Sequence, residues 1–157
     1  MRKLLLIVHV VAAVSLIGAD LVLLALGISG TRGADPLTVY PAASLVASWL
    51  IAPLVVVALG TGVLQAVLSQ WGLLRYWWVT IKLAATVVFT GIVLFVLVPR
   101  LAASSDAATA AETFTRAERL PLAIIPALAI TVLVGLVSLA IVKPRWRLPS
   151  TKFTGGA

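Results

Sequence analysis

The stretch LLLIVHVVAAVSLIGADLVLLALGIS, residues 4–29, decides the fold. It is apolar almost throughout, broken in its interior by His9 and Asp20, and at 1.5 Å per residue it makes a helix of roughly 39 Å, longer than the ~30 Å of bilayer hydrocarbon. Three further apolar runs follow it, Ser44–Leu68, Trp77–Val98 and Leu122–Val142. A chain of 157 residues that is 62% apolar cannot hide that surface in one soluble core. Its mean hydropathy of +1.16 points the same way. Backbone amides find no water in hydrocarbon, so spanning segments must be helices or a closed barrel, and these runs lack the polar alternation of barrel strands. The expectation is an all-α, polytopic membrane four-helix bundle: one transmembrane domain over residues 1–142, with helices at about 4–29, 43–69, 77–99 and 120–142, and a basic tail over 143–157.

Charge orients it. Of the twelve Lys and Arg residues, Arg2, Lys3, Arg75, Lys82, Lys143, Arg145, Arg147 and Lys152 fall on one side of the expected membrane. Arg32, Arg100, Arg116 and Arg119 fall on the other, together with Asp35, Asp106, Glu112 and Glu118, and Asp20 lies in the half of helix one nearer that side. The positive-inside rule then places both termini in the cytoplasm. The pI near 10.9 reads as attraction to anionic lipid, so the bilayer is the expected partner and nucleic acid is not. Met1–Lys3 ahead of an apolar stretch imitates a secretory signal, but the run is too long for an h-region and is expected to stay as a span.

The chain has no cysteine, which removes disulfides and thiolate metal sites. Trp71, Tyr76, Trp77, Trp78 and Trp146 gather at the expected cytoplasmic interface, and Tyr40 and Trp49 are expected to anchor the outer one. Thr31–Pro41, with Gly33, Asp35 and Pro36, has the chemistry of a turn. Residues 100–119, with Ser104 or Ser105 as N-cap before an alanine-rich stretch, are expected to continue as a short outer helix leading into Pro121.

Small residues at helical spacing mark where helices approach in lipid. Ala58, Gly62 and Ala66 recur on helix two, and Ala127, Thr131 and Gly135 on helix four, either as packing faces within the chain or as contacts with a second copy or another membrane protein. Helix two also carries Thr61, Gln65 and Ser69 at intervals of four, and helix three Trp78, Lys82, Thr86 and Thr90. His9, Gln65 and Lys82 fall in one layer roughly 7–9 Å inside the cytoplasmic end. Either Lys82 snorkels to the headgroups while His9 and Gln65 bond across helices, or the three form a vestibule for an anionic headgroup, a proton or a small ligand.

Asp20 lies about sixteen residues into helix one, too deep for a short side chain to reach water, and so needs a partner. Arg100 or Arg119 bending inward would pair it; proton or cation handling is the other reading, and a shifted helix that returns it to the outer interface is a third. His9 and Asp20 share a helix face but stand roughly 16 Å apart, too far to pair directly. Pro53 and Pro126 fall at the same depth and each frees a carbonyl one turn earlier.

One histidine and scattered serines make no catalytic group, no glycine-rich phosphate loop is present, and His9 alone cannot make a bis-His haem site within one chain. No cofactor, metal centre or enzymatic activity is expected. The segments Leu5-Leu6-Ile7-Val8-His9, Gly60-Thr61-Gly62 and Trp71-Gly72-Leu73-Leu74-Arg75-Tyr76-Trp77-Trp78-Val79-Thr80-Ile81-Lys82-Leu83 resemble small four-helix actinobacterial membrane proteins of uncharacterised function. More distantly, the chain is similar to the four-helix portion of CopD-type copper-resistance proteins. That resemblance implies copper transport, with His9 the matching ligand. Two functions follow from the residues themselves: a non-enzymatic structural, assembly or regulatory component of a membrane complex, or a small permeation or proton- or metal-coupled transporter using Asp20, His9 and Lys82.

Because the chain lacks cysteine, its orientation can be read from single-cysteine variants. Ser105→Cys in intact cells is expected to react with an impermeant maleimide, and Ser150→Cys only after permeabilisation; the reverse pattern inverts the topology.

Overall fold

The computed structural model describes residues 2–68, 77–110 and 114–142. The expected link around Ser69, the Trp71 and Tyr76 anchors, the side chains of Trp77 and Trp78, and the basic tail with Trp146 lie outside the described residues. Six helices are described: α1 (Arg2–Thr31), α2 (Pro36–Val46), α3 (Ala52–Leu68), α4 (Trp77–Ile92), α5 (Val98–Thr109) and α6 (Arg116–Val142). Among the described residues, four helical stretches are long and apolar enough to cross a membrane: Lys3–Thr31, Pro36–Leu68, Thr80–Thr109 and Ala117–Ser138.

The middle two stretches are continuous because α2 runs into α3, and α4 into α5, through single π-helical turns at Ala47–Ile51 and Val93–Leu97. Each turn is followed two residues later by a proline, Pro53 or Pro99. A proline has no N–H and its ring presses on the carbonyl four residues back, here that of Trp49 or Phe95. Widening the turn absorbs the misfit without ending the helix: Ala52 N–H bonds Ala47 O, and Val98 N–H bonds Val93 O, one residue further back than in an α-helix. The two sequences, ASWLIAP (47–53) and VLFVLVP (93–99), share one pattern, an aromatic four residues before the proline. Trp49 is 76% exposed and Phe95 81%, both directed away from the protein. Trp49 therefore lies about 20 Å along its helix from Pro36, facing lipid in mid-span, not at the outer interface where the sequence reading put it.

The third span also runs further than expected. It does not stop near residue 99 but continues to Thr109, and Ser104 caps nothing: its hydroxyl donates to Arg100 O at 2.9 Å, within the same helix. The expected turn at Thr31–Pro41 shrinks likewise. Gly33, with φ of +98°, reverses the chain directly after α1, and Ala34 N–H returns to Ser29 O at 3.0 Å to close the helix end. Asp35 then accepts from Leu37 N–H at 3.1 Å and caps α2, whose first residue is Pro36. At α6, Glu118 reaches back to Thr115 N–H at 2.7 Å and Thr115 Oγ1 at 2.8 Å, so the helix begins at Arg116 instead of about 120.

α1 is the hub. It packs most extensively on α6 and α3, with α2 against its C-terminal half; α2 packs on α5, and the seam between α4 and α6 is thin. Leu16, Ala19 and Leu23 of α1 share one core with Ala47, Ile51 and Val55, with Val93 and Leu97, and with Leu122 and Leu133. Leu4, Val14, Leu21, Val88 and Leu128 face outward, as a surface in lipid requires. The tightest approach is at Gly27, where a Cβ would collide with the Leu122 carbonyl. Leu122 O is the acceptor that Pro126, four residues on, leaves without its helical donor. Arg119 straps the same end: its Nη1 donates to Gly30 O at 3.1 Å and Ala34 O at 3.3 Å, and its Nε to Phe114 O at 3.3 Å. Tyr40, expected at the interface, is buried and stacks on Phe114 at 4.4 Å.

Gly27→Ala is expected to destabilise the bundle by about 1–3 kcal/mol through forced separation of α1 and α6. Gly18→Ala, with nothing within 4 Å of its new Cβ, is the control. Thermal melting in detergent checks both; equal midpoints would show that the α1–α6 contact is not the tight one.

Candidate functional site

One face of α1 lines the bundle interior. His9, Ala13, Leu16, Asp20, Leu23, Gly27 and Gly30 succeed one another at alternating steps of four and three residues, which a 3.6-residue helix stacks into a single stripe. Two partly open cavities lie along it. The first, about 60 Å³, is bounded by His9 and Leu16 of α1, Val55 and Ala58 of α3, Lys82, Thr86 and Thr90 of α4, and Leu133 of α6. The second, about 30 Å³, is bounded by Leu23, Tyr40 of α2, Arg100 and Ser104 of α5, and Glu118 and Pro126 of α6. Each is lined by all four spans. Since roughly 10–15 Å³ of such space holds one water, the first has room for a few molecules and the second for two.

Asp20 stands between them, one turn past Leu16 and one turn short of Leu23. It is 1% exposed and its Oδ2 has no hydrogen-bond partner. The arginine pairing weighed from the sequence does not form: Arg119 is spent on backbone carbonyls, and Arg100 is exposed beside the second cavity. Nor does the helix shift to bring Asp20 to the outer interface. An unpaired buried carboxyl costs several kcal/mol unless it is neutral or meets water or an ion.

His9, by contrast, is engaged. Its Nδ1 lies 3.1 Å from both Ala58 O and Thr61 Oγ1. A carbonyl only accepts, so Nδ1 carries the proton and donates, leaving Nε2 as the uncommitted nitrogen. Thr61 can accept from it because its own hydroxyl donates to Val57 O at 2.6 Å. Gly62 makes room, since a Cβ there would come within 3.3 Å of His9 Cε1. Gln65 donates through Nε2 to Leu5 O at 3.1 Å, one turn further toward the N-terminus. His9 and Gln65 therefore stitch α1 to α3. Gln65 does not line the cavity, so the three-residue layer resolves into a His9–Lys82 pair across a void and a separate helix–helix bond.

Of the small-residue faces, Ala58 and Gly62 lie on the α1 seam with Ala66 half-buried beyond them. Ala127, Thr131 and Gly135 face outward, with nothing within 4 Å of a Cβ on Gly135. Thr90 and Tyr40 were not singled out for the site in the sequence, yet each has a buried hydroxyl without a partner, one in each cavity. The signal for Thr90 was its place four residues after Thr86 on the Lys82 stripe. For Tyr40 there was none short of the fold. Among the described residues no three His, Cys, Asp or Glu side chains come together.

No family model, curated protein or solved structure matches this chain. What stands of the sequence resemblance is its architecture: this is a multi-pass membrane protein with four apolar helices, packed as an all-α bundle.

Since His9 is the only histidine, its tautomer is directly observable. Long-range ¹H–¹⁵N spectra at alkaline pH are expected to show the neutral ring protonated on Nδ1, the minority form in free histidine. A ring protonated on Nε2 would remove the α1–α3 bond described above.

Proposed function

We propose that the chain is a small proton-coupled permeation protein of a bacterial plasma membrane, with both termini cytoplasmic and Asp20 as the group that takes up and releases the proton. One observation carries this reading. A buried carboxyl whose Oδ2 has no hydrogen-bond partner lies on α1 between the residues that line two pockets, each bordered by all four spans. A structural aspartate would be expected to hold a partner, and the cations near enough to serve are engaged elsewhere or exposed. The α4–α6 seam, which borders the first cavity, is thin among the described residues. Charge supports the orientation, with cations concentrated at the end that carries His9 and Lys82.

The second reading is a non-enzymatic component that assembles with another membrane protein or a second copy. It is favoured by the outward placement of Ala127, Thr131 and Gly135, small residues that no other part of the described chain uses. The two readings are separable. Wild-type protein in liposomes is expected to carry a pH-driven proton flux well above that of empty vesicles, and Asp20→Asn to reduce it at least tenfold with an unchanged melting temperature. Absence of flux from correctly folded wild type, together with cross-linking through Gly135→Cys, would replace the first reading with the second.

A further inference from the structure

We propose that the first cavity, a groove between α1, α4 and α6, is a binding site for one acyl chain of an anionic phospholipid from the leaflet on the Lys82 side, with Lys82 meeting its phosphate. The proposal goes beyond both functional readings above and does not involve Asp20, which does not line the groove.

The groove has the length and lining of a chain site. Along α4 its wall runs from Lys82 to Thr90, two helical turns or roughly 12 Å. One leaflet of a ~30 Å hydrocarbon core is about 15 Å deep, so the groove can follow a single chain over most of its depth. Ala13 and Leu16 of α1, Phe89 of α4 and Leu133 of α6 give it an apolar bed. The threonines do not interrupt that bed: Thr86 donates to Lys82 O at 2.8 Å, and Thr90 Oγ1 is buried away from open surface.

The groove is open on one side. Val137 of α6 lines it and is 39% exposed, and the contact between α4 and α6 is thin among the described residues. In a bilayer, acyl chain and not water lies beyond that opening. A void of about 60 Å³ left empty there forfeits dispersion contacts with the atoms around it. It is too small for a whole lipid, and takes one side of one chain while the other side stays in the bilayer.

Charge at one end separates this groove from ordinary lipid-facing surface. Lys82 lines it near the start of α4, close enough for its charge to act on the His9 ring. A lysine at that depth lays its stem along apolar surface and carries its ammonium up to the headgroups. Asp35, Asp106, Glu112 and Glu118 belong to the opposite end of the bundle, so the chain supplies no carboxylate at the level of Lys82. A lipid phosphate supplies that counter-charge, and a headgroup without a cation of its own complements Lys82 best. Apolar length below a single cation is the pattern of an anionic lipid.

The test uses the purified full-length chain in dodecyl maltoside micelles doped with a trace of phosphatidylglycerol that carries a diazirine in its acyl chain. Adducts formed on illumination are mapped by mass spectrometry. They are expected to concentrate on the groove faces of α4 and α6. Unlabelled phosphatidylglycerol should compete about fivefold better than phosphatidylcholine, the effect of one lysine beside an anionic lipid. Lys82→Met should remove that preference and Lys82→Arg keep it. Val137→Trp, which fills the opening, should strip adducts from the groove and leave those near the exposed Val88 of α4, with the melting midpoint unchanged. Labelling spread evenly over the lipid-facing helices of folded wild type overturns the proposal, as does equal competition by the two lipids. If palmitate competes better than phosphatidylglycerol, the occupant is a free fatty acid and the phospholipid assignment fails. Disulfide-linked dimers of Val137→Cys would put a second copy on the groove and sink it equally. None of these readouts depends on proton flux, so failure here is distinct from failure of the Asp20 reading.

Discussion

Hydrocarbon offers no hydrogen-bond partner, and nearly every local feature of this bundle follows from that constraint. Hydroxyls of Thr61, Thr86, Thr131 and Ser138 turn back to their own helices. His9 and Gln65 cross to neighbouring backbone, and Arg119 meets three carbonyls at the far end. Prolines at positions 53 and 99 are accommodated by widened turns that keep the helices unbroken. Against this background the exceptions are informative. Among the described residues three buried side-chain atoms have no partner: Asp20 Oδ2, Tyr40 OH and Thr90 Oγ1. Tyr40 and Thr90 each border one of the cavities, and Asp20 stands between the two.

Close packing substitutes here for the hydrophobic effect, which has no purchase between helices already in an apolar solvent. α1 achieves it on two sides with glycine, its own Gly27 against the Leu122 backbone and Gly62 of α3 against His9. The α4–α6 seam lacks such a contact and is thin.

Helix geometry separates the core face from the lipid face. At the level of Asp20 the two π turns point Ala47, Ile51, Val93 and Leu97 inward and Trp49 and Phe95 outward. The large aromatics at mid-span therefore belong to the lipid surface, and the interior at that depth is built from smaller side chains around a carboxyl.

Hydropathy and length determined the number of spans, because transferring a span-length apolar run out of water outweighs any local preference. Turn chemistry at Gly33 and Asp35 was legible for the same reason that it forms, being local. The Thr-x-x-Glu signature at Thr115 and the repeated aromatic-to-proline spacing before Pro53 and Pro99 were also present in the residues. The expected end of the third apolar helix near residue 99 came from hydropathy, which falls at Arg100, whereas the helix itself continues to Thr109. What the tertiary structure alone decided was pairing. A sequence can state that Asp20 needs a partner, but which groups reach it depends on the rotation of each helix about its axis. In lipid that rotation is settled by contacts such as Gly27 with Leu122 and Arg119 with Gly30, brought together from segments about ninety residues apart.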